Sequence, residues 1–217
     1  MKSMHPLPGW ARWAAIPAVA VVVVLGVWVA GGVLTNDETI AKALTAVWLL
    51  AAGLVVLFIA WRYRGLAVPV IVTFVVVAGG LGGFLLYTSN VDKVVDEDVL
   101  VAEPVAPATQ PQPTNVEVGT GAFRDGEHPT SGTATLIDSA TGERVLTLTQ
   151  FATDPGPDLR VYLVPSRGPG VVGGVDLGAL KGNRGDQQYN VPESAPTDKV
   201  VIWCRAFSVT FGSALLA

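Results

Sequence analysis

Three long apolar runs in the first 87 residues limit most strongly what this chain can fold into. They cover Trp13–Leu34, Ala43–Trp61 and Leu66–Tyr87, and none contains a charged residue. Each is close to the roughly 20 residues that a helix needs to cross the hydrocarbon core of a membrane. None has the polar face that a surface helix of a soluble protein requires. The pattern predicts three transmembrane helices, which together form a membrane anchor over residues 13–87.

Positive charges predict the orientation of this anchor. Lys2 and Arg12 precede the first run, and Arg62 and Arg64 lie in the short turn between the second and third. Because positively charged loops stay on the cytoplasmic side, residues 1–12 are predicted to be a cytoplasmic tail, and everything after Tyr87 is predicted to be extracytoplasmic. In an alternative interpretation the first run is a cleaved signal peptide; the two remaining crossings then give the same final location.

The runs lack the groups that membrane transport and haem binding need. None contains an Asp, Glu, His, Lys or Arg, which excludes a proton relay, an ion path or a pair of histidine haem ligands within them. Gly79–Gly83 contains a small-xxx-small spacing, which suits helix pairing within the chain or between copies but is also common in membrane helices. The membrane part is therefore predicted to be an anchor.

Residues 88–114 change in character, since acidic residues and then regularly spaced prolines replace the apolar runs. This composition cannot bury a core and predicts a semi-extended linker. An ordered edge strand around Val94–Val101 is the alternative.

Residues 115–217 alternate short β-branched runs with turn signals, which predicts an all-β antiparallel sandwich or barrel as the extracytoplasmic domain. The Gly- and Pro-rich segment that ends near Pro192 is left without a strand. The predicted strands are Val116–Phe123, Ser131–Asp138, Glu143–Phe151, Leu159–Val164, Val200–Cys204 and Phe207–Phe211.

Composition excludes several functions. The net charge is −4 and there is no basic cluster after Arg64, which excludes nucleic acid as a partner. A single cysteine excludes an intrachain disulfide framework and a four-cysteine zinc site. There is no Gly-x-Ser-x-Gly motif of a hydrolase, and no metal site is predicted. If the chain has enzymatic character, it is that of a redox or electron-transfer component.

Cys204 is the only cysteine and ends the most apolar strand of this region. Val200, Ile202 and Cys204 share one face of that strand, and Val201 and Trp203 share the other. Because both faces are apolar, the strand is predicted to be central and Cys204 to be buried at its end. Four interpretations of the thiol stay open: an inert core side chain, a reactive thiol, an intermolecular disulfide and a ligand.

His128 is the only histidine after the predicted cytoplasmic tail. It lies in a turn, Gly126-Glu127-His128-Pro129, before a predicted strand. It is either a histidine that packs in the turn, a metal or haem ligand, or a proton partner of Cys204. The acidic residues of nearby loops, Asp154 among them, are interpreted as turn formers.

Several stretches of residues 115–217 resemble the DM-thirteen family, also called the electron-transfer DM domain, in order and spacing. The resemblance rests on these stretches: Gly121–Phe123 with His128 and Gly132, Phe151–Leu163, Leu177–Asn183 with Gly185–Tyr189, and Val201–Cys204 with Phe207–Ala214.

The resemblance implies a β-sandwich in which Cys204 matches the proposed redox centre of the family. Animal relatives accompany haem-binding domains and membrane cytochromes, whereas this chain has neither a haem-binding domain nor membrane histidines. If this chain transfers electrons, a partner protein in the membrane or envelope therefore has to supply the second redox centre. Haem is the candidate cofactor, and among the residues of the domain His128 is the candidate for holding it. The rival hypothesis is a non-enzymatic envelope binding or adhesion module.

Overall fold

The computed structural model describes residues 9–35, 37–102, 114–168 and 170–217. It contains two compact units. One consists of the residues up to Tyr87 together with Ala206–Ser208, and the other of Thr88–Arg205 and Val209–Ala217.

The first unit contains three long helices: α1 (Gly9–Gly32), α2 (Glu38–Arg62) and α3 (Ala67–Thr88). A single 3-10 turn, Arg64–Leu66, joins the last two. All three are long and apolar enough to cross a membrane, which confirms the predicted helices. Asp37 caps α2, since its Oδ1 accepts a hydrogen bond of 2.9 Å from the amide of Ile40.

Small residues let these helices approach each other. A Cβ at Gly26 of α1 would overlap the indole of Trp48 on α2, so the pairing of these two helices depends on glycine at this position. Near the turn between α2 and α3, Val56, Ala60 and Val70 form a buried cluster. A Cβ at Gly79, Gly80, Gly82 or Gly83 would meet no described atom within 4 Å, so helix pairing within the chain does not use these glycines.

The second unit consists of two five-stranded sheets. The first has the order β1-β8-β5-β4-β2 and the second β3-β10-β9-β6-β7, and every pair except β1–β8 is antiparallel. This confirms a domain of mostly antiparallel sheets, and sandwich closure stays a prediction. The strands are β1 (Val94–Asp96), β2 (Val116–Ala122), β3 (Arg124–Asp125), β4 (Thr130–Asp138), β5 (Arg144–Thr153), β6 (Leu159–Val164), β7 (Val175–Ala179), β8 (Arg184–Val191), β9 (Lys199–Cys204) and β10 (Val209–Leu215).

Two strands lie in the segment that the sequence left without one. β7 contains Gly178 and β8 contains Gly185, and both glycines have positive φ angles, 123° and 100°. Such conformations are typical of turns, and β8 also starts with a polar run, so neither strand has an apolar alternation that a sequence pattern could detect. The last strand begins at Val209, two residues later than predicted, because a turn occupies the residues before it.

Of the two alternatives for residues 88–114, the structure has the edge strand at Val94–Asp96. β1 pairs in parallel with β8. Asn183 receives a hydrogen bond of 2.6 Å from the amide of Lys93 and donates one of 2.7 Å to Asp92. Residues 103–113, which include the predicted proline-spaced part, lie outside the described residues.

Candidate functional site

Cys204 is the last residue of β9, which lies at the centre of its sheet between β10 and β6. Its Cα partners are Leu159 of β6 and Val209 of β10. The residue has 0% of its surface exposed. The prediction of a buried cysteine at the end of a central strand is therefore confirmed.

This burial limits the chemistry of the thiol. Because none of the surface of Cys204 is exposed, a water molecule cannot contact its sulfur. A haem therefore does not fit against Cys204 in this conformation, because an axial ligand needs the iron directly beside its sulfur. Exchange with a second thiol also needs access to the sulfur, so it requires the end of β9 to separate from its neighbours.

His128 lies in the turn between β3 and β4, and its ring contacts Asp154 and Phe211. Nδ1 lies 2.9 Å from Oδ2 of Asp154. Since a carboxylate only accepts hydrogen bonds, Nδ1 carries the proton in this contact. The ring also stacks on Phe211, with the two centroids 3.8 Å apart and the planes 25° from parallel. A carboxylate that fixes the imidazole in this way is the usual arrangement for histidines that bind or transfer a proton.

The turn that carries His128 is fastened to β10 through its backbone. The carbonyl oxygen of Phe211 accepts hydrogen bonds from the amides of Gly126 and His128, at 2.8 and 3.3 Å, and from Oγ1 of Thr130 at 3.1 Å. A Cβ at Gly126 would overlap the Thr210 carbonyl oxygen, so a side chain there would push the turn away from the strand. Glycine is therefore required at position 126 for the turn to pack against β10.

The loop between β5 and β6 connects the surroundings of His128 and Cys204. At its start, Asp154 holds His128. At its end, the carbonyl of Asp158 accepts a hydrogen bond of 2.9 Å from the amide of Arg205, and Leu159 pairs with Cys204. In the middle, a Cβ at Gly156 would lie 2.9 Å from the Phe211 ring. A short loop thus places the two predicted site residues at opposite ends of one packed segment.

A shallow cleft of about 210 Å³ lies beside this loop. Its lining includes hydroxyl-bearing, acidic and basic residues, among them Thr153, Asp154 and Arg184. Among residues 9–35, 37–102, 114–168 and 170–217, no group of three or more His, Cys, Asp or Glu side chains is arranged to hold a metal ion. The cleft is lined by Asp125, Pro129, Thr130, Ser131, Ala152, Thr153, Asp154 and Arg184.

A second polar cluster lies at β8, and its hydrogen bonds give it a structural role. Gln187 is fully buried; its Oε1 accepts from the hydroxyl of Tyr189 at 2.8 Å and from the amide of Lys181 at 3.1 Å. Burial raises the pKa of Tyr189 well above its ordinary value. The ammonium of Lys181 lies 2.8 Å from both carboxylate oxygens of Glu97 and lowers the pKa of that carboxyl. The cluster holds the segment around β1 against the sheet.

Sequence reasoning missed the residues that surround His128. Asp154 was interpreted as a turn former, Phe211 was taken only as a strand residue, and Thr130 was given no role. Asp154 and His128 are 26 positions apart, and no local pattern reports a contact at that separation. The one available signal was that Asp154, His128 and Phe211 all lie within the stretches that carry the family resemblance.

Comparison with known families bears on this domain directly. Residues 122–216 match the family model described as electron transfer DM13, which confirms the resemblance over that range. The match includes His128, the Asp154–Asp158 loop and Cys204. No curated protein and no solved structure matches the chain.

Proposed function

We propose that this protein is a membrane-anchored electron-transfer module whose β domain lies outside the cytoplasm and whose redox-active residue is Cys204. The anchor consists of α1 to α3, and the short Arg62–Arg64 turn lies on the cytoplasmic side. A partner protein in the membrane or envelope carries the second redox centre, because the helices contain no histidine that could bind a haem.

One observation carries the proposal: the electron transfer DM13 match encloses the only cysteine of the chain. The surroundings add to this. His128, held by Asp154, and Cys204 lie at the two ends of the same loop, and Phe211 packs against both that loop and the histidine ring. The domain thus offers one redox-capable side chain together with one proton-carrying side chain.

The burial of Cys204 defines how it can act. A thiol with no exposed surface is protected from adventitious oxidation and from random exchange with other thiols. Reaction with a partner requires the end of β9 to open locally, which proteins do more readily at the ends of elements than at their centres. The Arg205–Asp158 ion pair, 2.7 Å at the end of β9, is one contact that this opening has to break.

The test uses the full chain purified in detergent, as wild type and as Cys204→Ala and Cys204→Ser. Absorbance is recorded before and after dithionite, a redox titration is run by protein-film voltammetry, and the thiol is titrated with Ellman's reagent with and without guanidinium. We expect the Cys204 thiolate of the folded wild type to attack Ellman's reagent at a slow but measurable rate, which forms a mixed disulfide and releases one thionitrobenzoate; added thiol reverses this, and both substitutions abolish it. Val209→Ala, which removes the cross-strand neighbour but keeps the thiol, controls for destabilisation. A folded chain whose thiol reacts only in guanidinium, or a signal that survives Cys204→Ala, contradicts the proposal.

The second candidate is a binding or adhesion module without redox chemistry. The observation that favours it is the same complete burial of Cys204, since an apolar core position suits an inert cysteine equally well. Under this alternative, Cys204→Ala and Cys204→Ser chains keep full cellular function, and envelope extracts passed over the immobilised wild-type chain yield a specific partner that both variants also capture.

A further inference from the structure

An open groove of about 490 Å³ lies between the beginnings of α1 and α3. Its walls are mainly apolar: Val68 and Val72 of α3 are 72% and 54% exposed, and Trp13 of α1 is 76% exposed. The groove is lined mainly by Arg12, Trp13, Ile16, Val68, Pro69 and Val72.

One end of the groove is positively charged. The Arg12 guanidinium lies over the turn, with Nη2 3.5 Å from where a Cβ of Gly65 would lie. Arg62 and Arg64 are in the same turn, but Arg62 is held over the ring of Tyr63, 5.0 Å from its centroid. Arg12 is therefore the arginine that lines the groove.

Within the described helical residues, 9–35 and 37–88, the only carboxylates are those of Asp37, which caps α2, and Glu38, which is its first residue. Arg62 ends α2, so the length of that helix, roughly 37 Å at 1.5 Å per residue, separates the acidic residues from the turn. The groove thus joins an apolar wall to an unneutralised guanidinium.

We propose that this groove binds one anionic membrane phospholipid, with its phosphate on Arg12 and an acyl chain along Trp13, Val68 and Val72. The proposal rests on the membrane anchoring proposed above. Guanidinium groups bind phosphate oxygens through paired, charge-assisted hydrogen bonds. Basic pockets between membrane helices bind the headgroups of anionic lipids, and tryptophan prefers the depth of the headgroups. A zwitterionic lipid would leave its own cation beside Arg12, so the charge selects an anionic headgroup.

The test is native mass spectrometry of the full chain in dodecyl maltoside with an equimolar mixture of phosphatidylglycerol and phosphatidylcholine. We expect one phosphatidylglycerol adduct in preference to phosphatidylcholine. Arg12→Gln should weaken phosphatidylglycerol binding about tenfold, since one charge-assisted contact has that value. Arg12→Lys should restore part of it. Arg62→Gln, in the same basic turn but outside the groove, is the matched control and should change binding less than about twofold.

A second variant tests the contribution of the apolar groove independently of the charge of Arg12. Val72→Trp fills the groove and keeps Arg12, so it should also reduce phosphatidylglycerol binding, and circular dichroism checks that the helices are intact. Equal adducts of both lipids, equal losses in Arg12→Gln and Arg62→Gln, or a chain dimer that occupies the groove in place of lipid overturns the proposal. Failure of the chain to sediment with membranes would instead contradict the anchoring itself.

Discussion

The two units of this protein place their apolar side chains in opposite ways. In the helices, large apolar residues such as Trp13 and Leu50 point outward and are 76% and 71% exposed. In the β domain, residues of the same kind, such as Leu148 and Phe151, are at most 1% exposed. An outward apolar surface on this scale is stable only if something other than water covers it. The difference agrees with three helices that are long and apolar enough to cross a membrane, next in the chain to a domain with its own buried core.

The largest expected effect tests this difference with one residue type. Leu148→Ala should lower the free energy of unfolding of the β domain by about 2–5 kcal/mol, because it leaves a cavity in the core. Leu50→Ala should change the stability of the full chain in detergent by less than about 0.5 kcal/mol. Pulse proteolysis across a urea series measures both. Equal losses of stability from the two substitutions would contradict the proposed difference between the two units.

Buried polar groups sharpen the comparison, since the β domain holds a fully buried side-chain amide, that of Gln187. Gln187→Leu removes the acceptor of the Gly182 amide and the donor to the Gly182 carbonyl, while the Lys181 amide keeps the Tyr189 hydroxyl, so we expect a loss of about 2–4 kcal/mol. Gln188→Leu is the matched control, because Gln188 is only half-buried and its side chain accepts from the Leu100 amide. Its cost should be about 1 kcal/mol, measured by the same urea series.

The segment around β1 lies near the beginning of the second unit, and low pH should loosen its contacts with β8. The Lys181 ammonium lowers the pKa of Glu97 below its ordinary value of 4.5. Glu97 therefore stabilises the folded state fully above about pH 4.5, and this contribution is lost as the pH falls through the lower folded pKa. Both side chains are partly exposed, so the contribution is less than about 1 kcal/mol.

Hydrogen exchange of the β1 amides, followed by mass spectrometry, measures this loosening. We expect faster exchange in Val94–Asp96 of the wild type at pH 3.5 than at pH 6, after correction for the intrinsic rates. Glu97→Gln should show the faster exchange at both values. A wild type with the same protection at both values contradicts this role of Glu97.

The smallest effect concerns the ring of His128. Asp154→Ala removes the acceptor of Nδ1, so we expect both tautomers of the neutral imidazole to become populated. The stability should change by less than about 1 kcal/mol, because the Asp154 side chain is 52% exposed. Nitrogen NMR of labelled histidine measures the tautomers. Asp158 lies in the same loop as Asp154. Asp158→Ala breaks the ion pair of Asp158 with Arg205 and should leave the tautomer populations of His128 unchanged.

Sequence patterns predicted the parts of this fold that depend on local hydropathy. The three helices follow from uninterrupted apolar runs, and β4, β5, β6 and β9 follow from alternation or from two apolar faces. Cys204 was correctly placed at a buried strand end for the second reason. These features are local, because each depends only on which residues are neighbours in the chain.

The parts that sequence patterns did not predict depend on contacts between distant residues. β8 is a strand because β5 and β1 flank it, although its own residues include Gly185 and a polar run. Gln187 is buried because loop amides reach its side chain. The pairing of His128 with Asp154 depends on the turn and the loop meeting at Phe211. None of these leaves a periodic signal.

The position of β1 also changes what a cut in the chain would do. β1 and β2 lie at opposite edges of the same sheet, so the proline-containing residues 103–113 connect the two edges and do not join the helices to the domain. A protease that cleaves within 103–113 would leave β1 on the fragment that carries the helices. The β1–β8 pairing and the Asn183–Asp92 and Lys181–Glu97 contacts would still bind the two fragments to each other. Release of the β domain from the helices would therefore need a cut before β1, between Thr88 and Val94.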